Sequence, residues 1–221
     1  MTTALLVVVF GSAILDWIST FKVWGKVEMF AKPAVMIFLF VWLYAGTILH
    51  GALLWFGIGI IFSLIGDVLL LSPNRFFLPG LIAFLLAHVA YIIGFAINAA
   101  LPNAWDIFFA FIILLSAVRV LQRFIPALRS KGMNNLILPV EIYALTISVM
   151  LFFAVRTLAD PNWQTNTTAL VSVGAFLFYI SDLILAWNRF VAPIQNGRLL
   201  NIVAYHLGQI ALIVGVAMHF G

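Results

Sequence analysis

The 221-residue sequence contains no cysteine. That excludes disulfides, thiolate nucleophiles and cysteine-ligated metals, and it leaves the redox compartment unread. Charge is nearly as scarce: 11 lysines and arginines and 7 aspartates and glutamates make up 8% of the residues. Soluble domains carry roughly a quarter charged residues, so a soluble globular fold is excluded. Linkers rich in glycine and serine are missing, as are low-complexity tracts, which leaves no room for a soluble domain. No basic region precedes the first apolar run, so that run reads as a membrane helix rather than a cleaved leader.

What fills the sequence is hydrophobicity, at 65% of residues. Apolar runs recur along the whole length, each long enough to cross a hydrocarbon core of roughly 30 Å. Hydrocarbon permits only helices or closed barrels, because every backbone polar group must find an internal partner. The runs lack the alternation of barrel strands, so helices are expected. The expected fold class is all-α, a polytopic membrane bundle of eight transmembrane helices. Their bounds are about 3–21, 31–48, 51–71, 76–98, 104–124, 133–156, 166–187 and 199–219. Prolines and polar clusters mark the breaks, among them Ser72-Pro73-Asn74-Arg75, Leu101-Pro102-Asn103 and Asp160-Pro161-Asn162. Connections this short predict antiparallel neighbours within a single membrane domain, 1–221.

The basic residues set an orientation. Lys22, Lys26, Arg75, Arg123, Arg129, Lys131, Arg189 and Arg198 all fall near the loops after the first, third, fifth and seventh helices. The opposite face offers Arg156. The positive-inside rule then puts the rich face in the cytoplasm and both termini outside. Compact loops without long tails point to a bacterial inner membrane. The net charge of +4 is dispersed over short loops, so it reads as a topology signal and not as a nucleic-acid surface.

One polar signature occurs twice. Ser63-Leu64-Ile65-Gly66-Asp67 leads through Asn74-Arg75-Phe76 to His88-Val89-Ala90-Tyr91. Phe178-Tyr179-Ile180-Ser181-Asp182 leads through Asn188-Arg189-Phe190 to Tyr205-His206-Leu207-Gly208-Gln209. The offsets are 115 residues for the aspartates, 114 for the arginines and 118 for the histidines. This predicts two parallel four-helix repeats, about 1–100 and 101–221, related by an axis along the membrane normal. Asp67 and Asp182 then share a depth near the cytoplasmic ends of their helices and face each other across a central cavity. Proline alignment brings Lys32-Pro33, which opens the second helix, close to equivalence with Pro139 and Glu141.

Structural readings stand beside the functional ones. Lys32 and Arg119 have the option of snorkelling. His50 and His219 read as interfacial residues. Trp17, Trp24, Trp42, Trp55 and Trp105 fit an aromatic belt. Gly57, Gly59, Gly208 and Gly215 fit close helix contacts. For His88 and His206 a satisfied core histidine and a site histidine weigh about equally. For the aspartates an ion pair with Arg75 or Arg189 is the structural reading. Carboxylates inside a membrane segment nevertheless favour function.

The residues Lys32-Pro33, Gly66-Asp67, His88-Val89-Ala90-Tyr91, Ser181-Asp182-Leu183-Ile184-Leu185-Ala186, Arg189-Phe190 and Tyr205-His206-Leu207-Gly208-Gln209 together resemble the YhhN family. The resemblance covers nearly the whole chain in order, and its most specific piece is the run from Ser181. It implies an integral membrane lysoplasmalogenase, whose substrate is a lysophospholipid with a vinyl ether bond. The implied products are a fatty aldehyde and glycerophosphoethanolamine or glycerophosphocholine.

The residues suit that chemistry on their own account. A vinyl ether has no carbonyl for a nucleophile to attack. It is hydrolysed by protonation of its β-carbon, which leaves an oxocarbenium ion for water to capture. The minimum equipment is one carboxylic acid and one carboxylate, as in glycoside hydrolysis. Two acids in a low-dielectric cavity divide the work in this way, because both do not ionise cheaply. Asp67 and Asp182 are the candidate pair. His88, Tyr91, Tyr179, Tyr205, His206 and Gln209 are candidates to orient water and tune them. Lys32, Arg75 and Arg189 are placed to hold the phosphate. Glu141 is either the neutralising partner of Lys32 or a third acid. No cofactor is implied, and no close-spaced ligand motif suggests a metal.

Two rivals come from other classes. Parallel repeats with embedded acids also suit a small proton-coupled transporter or channel. A lipid amidase would need a three-histidine metal site, for which only His88 and His206 are suitably placed.

Overall fold

The computed structural model describes residues 2–97 and 99–221. Among these residues there is no strand, and eight helices are long and apolar enough to cross a membrane. They are α1 (Thr2–Phe21), α2 (Gly25–Gly46), α3 (Gly51–Leu70), α4 (Pro73–Ala96), α5 (Ala104–Ser130), α6 (Ile137–Arg156), α7 (Thr165–Ala186) and α8 (Gly197–Phe220). Large apolar side chains such as Phe30, Phe111, Ile107 and Leu114 point outward and exposed. On a soluble protein that surface would be an aggregation liability; in hydrocarbon it is the solvated face.

Consecutive helices pair as antiparallel hairpins, α1 with α2, α3 with α4, α5 with α6, and α7 with α8. Helix α8 is the most buried and touches α1, α2 and α3 besides α7. Helix α5 is the least buried and packs on α6 and on the turn that follows α7. The bundle is therefore tight around α8 and looser on the α5 side.

Small residues make the α7–α8 contact possible. A Cβ on Gly174 would lie 2.4 Å from the backbone nitrogen of Leu212, and one on Gly208 would lie 2.8 Å from that of Phe178. Without hydrocarbon driving helices together, such close backbone approach is how membrane helices gain packing energy. It also locks Asp182 on α7 into register with Tyr205 on α8.

Several helix ends differ from the sequence expectation. Helix α2 starts at Gly25 rather than near 31, so Lys32 and Pro33 lie within its body. A Lys-Pro pair reads as a helix start, yet proline inside a membrane helix is tolerated when neighbours cover the freed carbonyl. Helix α5 runs through Pro126 to Ser130. Pro139 falls in the first turn of α6, where its missing N–H leaves no bond unmade, after a 3₁₀ turn over Asn134–Leu136. Helix α4 opens on Pro73 and bends at Phe76, whose φ of −118° and ψ of 22° are not helical. Helix α7 passes into a wide π-helical turn, Trp187–Val191, that carries Arg189.

At the end of the bundle away from that turn, Asn103 and Asp106 form a reciprocal cap on α5. Arg156 of α6 binds the same Asp106 at 3.0 Å. The lone basic residue expected on that face is therefore neutralised within the protein.

Candidate active site

A cavity of about 950 Å³ opens at the end of the bundle that carries the α1–α2, α3–α4 and α7–α8 connections. Asp67 and Asp182 both line it, one from α3 and the other from α7. Lys32, Arg189 and Tyr205 line it as well.

Asp67 sits in the last turn of α3, the negative end of the helix dipole, and is 1% exposed. A buried carboxylate there needs a cation and hydrogen bonds. Lys32 Nζ supplies the cation at 3.4 Å, reaching across from the body of α2. The Tyr205 hydroxyl donates to Asp67 Oδ2 at 2.8 Å from α8. The ion-pair partner is therefore neither Arg75 nor Arg189. Lys32 pairs with Asp67 rather than with Glu141, and it also lines the cavity.

Asp182 has a different set of partners. The Tyr143 hydroxyl of α6 donates to its Oδ2. His88 Nε2 of α4 lies 3.3 Å from the same oxygen and 3.0 Å from the Tyr143 oxygen. Tyr143 commits its single hydrogen to Asp182, so the His88 N–H is the donor in both contacts. Asn201 of α8 donates to the carbonyl and hydroxyl of Ser181 at 2.8 and 2.9 Å, pinning the backbone beside Asp182.

A second space adjoins the cavity. It is a narrow apolar slot of about 60 Å³ between α4, α5, α6 and α7, with Leu81, Val120, Phe124 and Ile147 on its walls. Cavity and slot share Leu70, Phe77, Phe84, Leu185 and Asp182. Among the described residues Asp182 is the polar member of that shared set. It stands where a space lined by charged side chains meets an apolar one.

The remaining expected residues disperse. Tyr91 donates to Gln209 Oε1 at 2.8 Å, and Gln209 Nε2 donates to Ser63 at 2.8 Å. All three are buried, and they tie α3, α4 and α8 together one turn from Asp67. Tyr179 lines the slot, and its hydroxyl meets Ser116 at 3.3 Å. His206 is fully buried and accepts from the Trp17 indole at 3.2 Å. Trp17 thus belongs to the interior contacts and not to an outer belt. His219 stacks on Trp163 with 3.7 Å between ring centroids. Arg75 is exposed and lies over the Phe76 ring, outside the cavity lining. Glu141 is half-buried on α6 and lines neither space.

Sequence reasoning missed Tyr143, Glu28 and Arg198. Tyr143 belongs to no repeated motif. The signal that would have found it is a hydroxyl inside an apolar helix, which must have a partner when buried. Among the described residues no three His, Asp or Glu side chains gather as metal ligands.

The arrangement can hold one carboxylate against an ammonium and a second carboxyl against a phenol and an imidazole, with a space lined by charged side chains on one side and an apolar space on the other. Known proteins are similar to the chain in sequence. Lysoplasmalogenase TMEM86B of Rattus norvegicus is 27% identical over 190 residues, covering 86% of this chain and 72% of its own. The Homo sapiens protein of the same name is 26% identical, covering 86% and 74%. A lysoplasmalogenase homolog of Dictyostelium discoideum is 25% identical, covering 74% and 63%. No solved structure matches the chain. The YhhN family model matches residues 27–216, a span that includes both aspartates, Lys32, Tyr143 and Arg189, and the chain belongs to the YhhN family.

Proposed function

We propose that this protein is a membrane-embedded lysoplasmalogenase that cleaves the vinyl ether bond of a lysoplasmalogen by acid–base chemistry of Asp182 and Asp67. Relatives named lysoplasmalogenase support the enzyme class. The observation that carries the mechanism is the place of Asp182 at the junction of cavity and slot. In a lysoplasmalogen the vinyl ether is itself the junction between a polar glycerophospho group and an apolar chain. A substrate with its head group in the cavity and its chain in the slot brings that bond to Asp182.

The two acids take unequal parts. Asp67, with Lys32 at 3.4 Å, is the carboxylate. Asp182, which among the described residues pairs with no lysine or arginine, carries the proton. Asp182 delivers it to the β-carbon of the alkenyl chain, and the α-carbon becomes an oxocarbenium ion. Asp67 stabilises that cation and takes a proton from the water that adds to the α-carbon. The hemiacetal then collapses: its hydroxyl proton leaves, the glycerol oxygen departs with a proton, and a fatty aldehyde is released. Asp67 returns its proton to Asp182 through the cavity. General acid–base help of this type contributes roughly two to four powers of ten in rate.

Tyr143 and His88 hold the Asp182 carboxyl in line, and Tyr205 does so for Asp67. Arg189 faces the phosphate from the π-helical turn, its guanidinium 4.0 Å from the Phe77 ring and its Nε without a protein partner. The mouth lies at the basic end of the bundle, which supports a cytoplasmic opening. The halves 1–100 and 101–221 are taken as repeats that each contribute one acid.

The test is a substrate panel on purified protein in detergent. Lysoplasmalogen should release aldehyde, whereas an acyl lysophospholipid and a saturated alkyl ether should not. Proton-coupled ion flux in liposomes without any hydrolysis would overturn the reading in favour of a transporter.

A further inference from the structure

The cavity mouth holds an ion pair that the reaction does not use. Glu28, in the first turn of α2, lines the cavity, and Arg198, in the first turn of α8, binds it. One Arg198 nitrogen lies 2.7 Å from Oε1 and 3.0 Å from Oε2 of Glu28. Arg198 is 66% exposed and Glu28 only 16%. An exposed pair of this kind adds little to stability. Its place in the lining of the cavity, which Arg189 also lines, gives it another use, that of meeting a charged ligand.

We propose that Glu28 and Arg198 form the subsite for a zwitterionic head group, with the phosphate between Arg198 and Arg189 and the terminal ammonium on Glu28. The proposal rests on the lysoplasmalogenase reading and specifies which head group the enzyme takes. A preformed anion–cation pair is complementary to a phosphate–ammonium pair: each protein charge exchanges its partner for the opposite charge of the ligand. The Arg189 side chain lines the same cavity, and its buried Nε has no protein partner.

The neighbours of Glu28 on the cavity wall select among ammonium groups. Along α2 and the turn before it, the residues that line the cavity with Glu28 are Val23, Gly25, Met29, Lys32 and Pro33, and none is aromatic. A quaternary ammonium is recognised through aromatic faces, because it has no N–H to donate. A primary ammonium donates three hydrogen bonds, which a carboxylate accepts. The geometry therefore fits ethanolamine rather than choline.

The experiment compares three alkenyl substrates on purified protein in mixed micelles: the ethanolamine phospholipid, the choline phospholipid and the headless alkenylglycerol phosphate. The wild type should favour ethanolamine over both others by about tenfold in kcat/KM, the lower end of the scale for one hydrogen bond to a charged group. Glu28→Gln should erase most of that preference, through KM, while Glu28→Asp keeps part of it. Arg198→Gln should raise KM for all three, because all three carry the phosphate. A wild type indifferent to head group, or a Glu28→Gln variant that lowers all three rates alike, would overturn the subsite while leaving the hydrolase reading in place. Aldehyde from none of the three would overturn the hydrolase reading and the subsite together.

Discussion

Lys32 and Asp67 form an ion pair at 3.4 Å between the body of α2 and the last turn of α3, with the carboxylate 1% exposed and the lysine 13% exposed. Breaking a buried pair by removing one partner costs about 3–5 kcal/mol, because the other charge is left uncompensated. Lys32→Met should therefore lower the thermal midpoint in detergent sharply. Adding Asp67→Asn to it should recover most of the loss, since both charges are then gone. A double variant as unstable as the sum of the two singles would show that the pair is not coupled.

Tyr143 is the donor that holds Asp182. Tyr143→Phe deletes one oxygen and keeps the ring against the slot. A hydrogen bond to a charged or reacting carboxyl contributes about 1.5–3 kcal/mol, so kcat should fall roughly tenfold to a hundredfold. The thermal midpoint should move little. Single-turnover rates beside unfolding curves read both quantities, and an unchanged kcat would remove Tyr143 from the mechanism.

The apolar slot sets chain length if the chain lies in it. Ala144 faces the slot from α6, one position after Tyr143. Ala144→Leu adds apolar volume to a space that is already narrow. Long-chain alkenyl substrates should lose kcat/KM relative to short-chain ones, and the optimum should shift to shorter chains. An equal loss at every chain length would place the chain elsewhere.

The α7–α8 contact has an internal control. Gly174→Ala forces a Cβ to 2.4 Å from the Leu212 backbone nitrogen, and backbone cannot swing aside. Overpacking of this kind costs about 1–3 kcal/mol or more. Gly11→Ala on α1 meets nothing within 4 Å and should be neutral or stabilising by about 0.5–1 kcal/mol, because alanine favours the helix. Thermal midpoints of the two variants measure the difference.

The sequence made some of this legible and hid the rest for physical reasons. Hydrophobic runs of membrane length locate the eight helices, because the bilayer sets their period and extent. The doubled Asp motif points to two acids in one cavity, and Asp67 and Asp182 both line it. Lys32 lies inside α2 although the proline beside it imitates a helix start, and its partner Asp67 lies across a helix–helix contact that no spacing rule reports. His88 and His206 look equivalent in sequence, yet one contacts Asp182 and the other takes a hydrogen bond from Trp17. Their difference depends on which helix each one faces. Tyr143 and the Glu28–Arg198 pair stayed hidden because neither recurs, and long-range pairing leaves no local trace.

The central claim is that Asp182 gives a proton to carbon. Hydrolysis of a lysoplasmalogen in heavy water tests it directly, with the aldehyde examined by mass spectrometry. The account predicts one deuterium on the aldehyde carbon next to the carbonyl, slower turnover in heavy water, and loss of both product and label with Asp182→Asn. Aldehyde formed at the ordinary rate without deuterium on that carbon, or a folded Asp182→Asn protein with wild-type turnover, would contradict it.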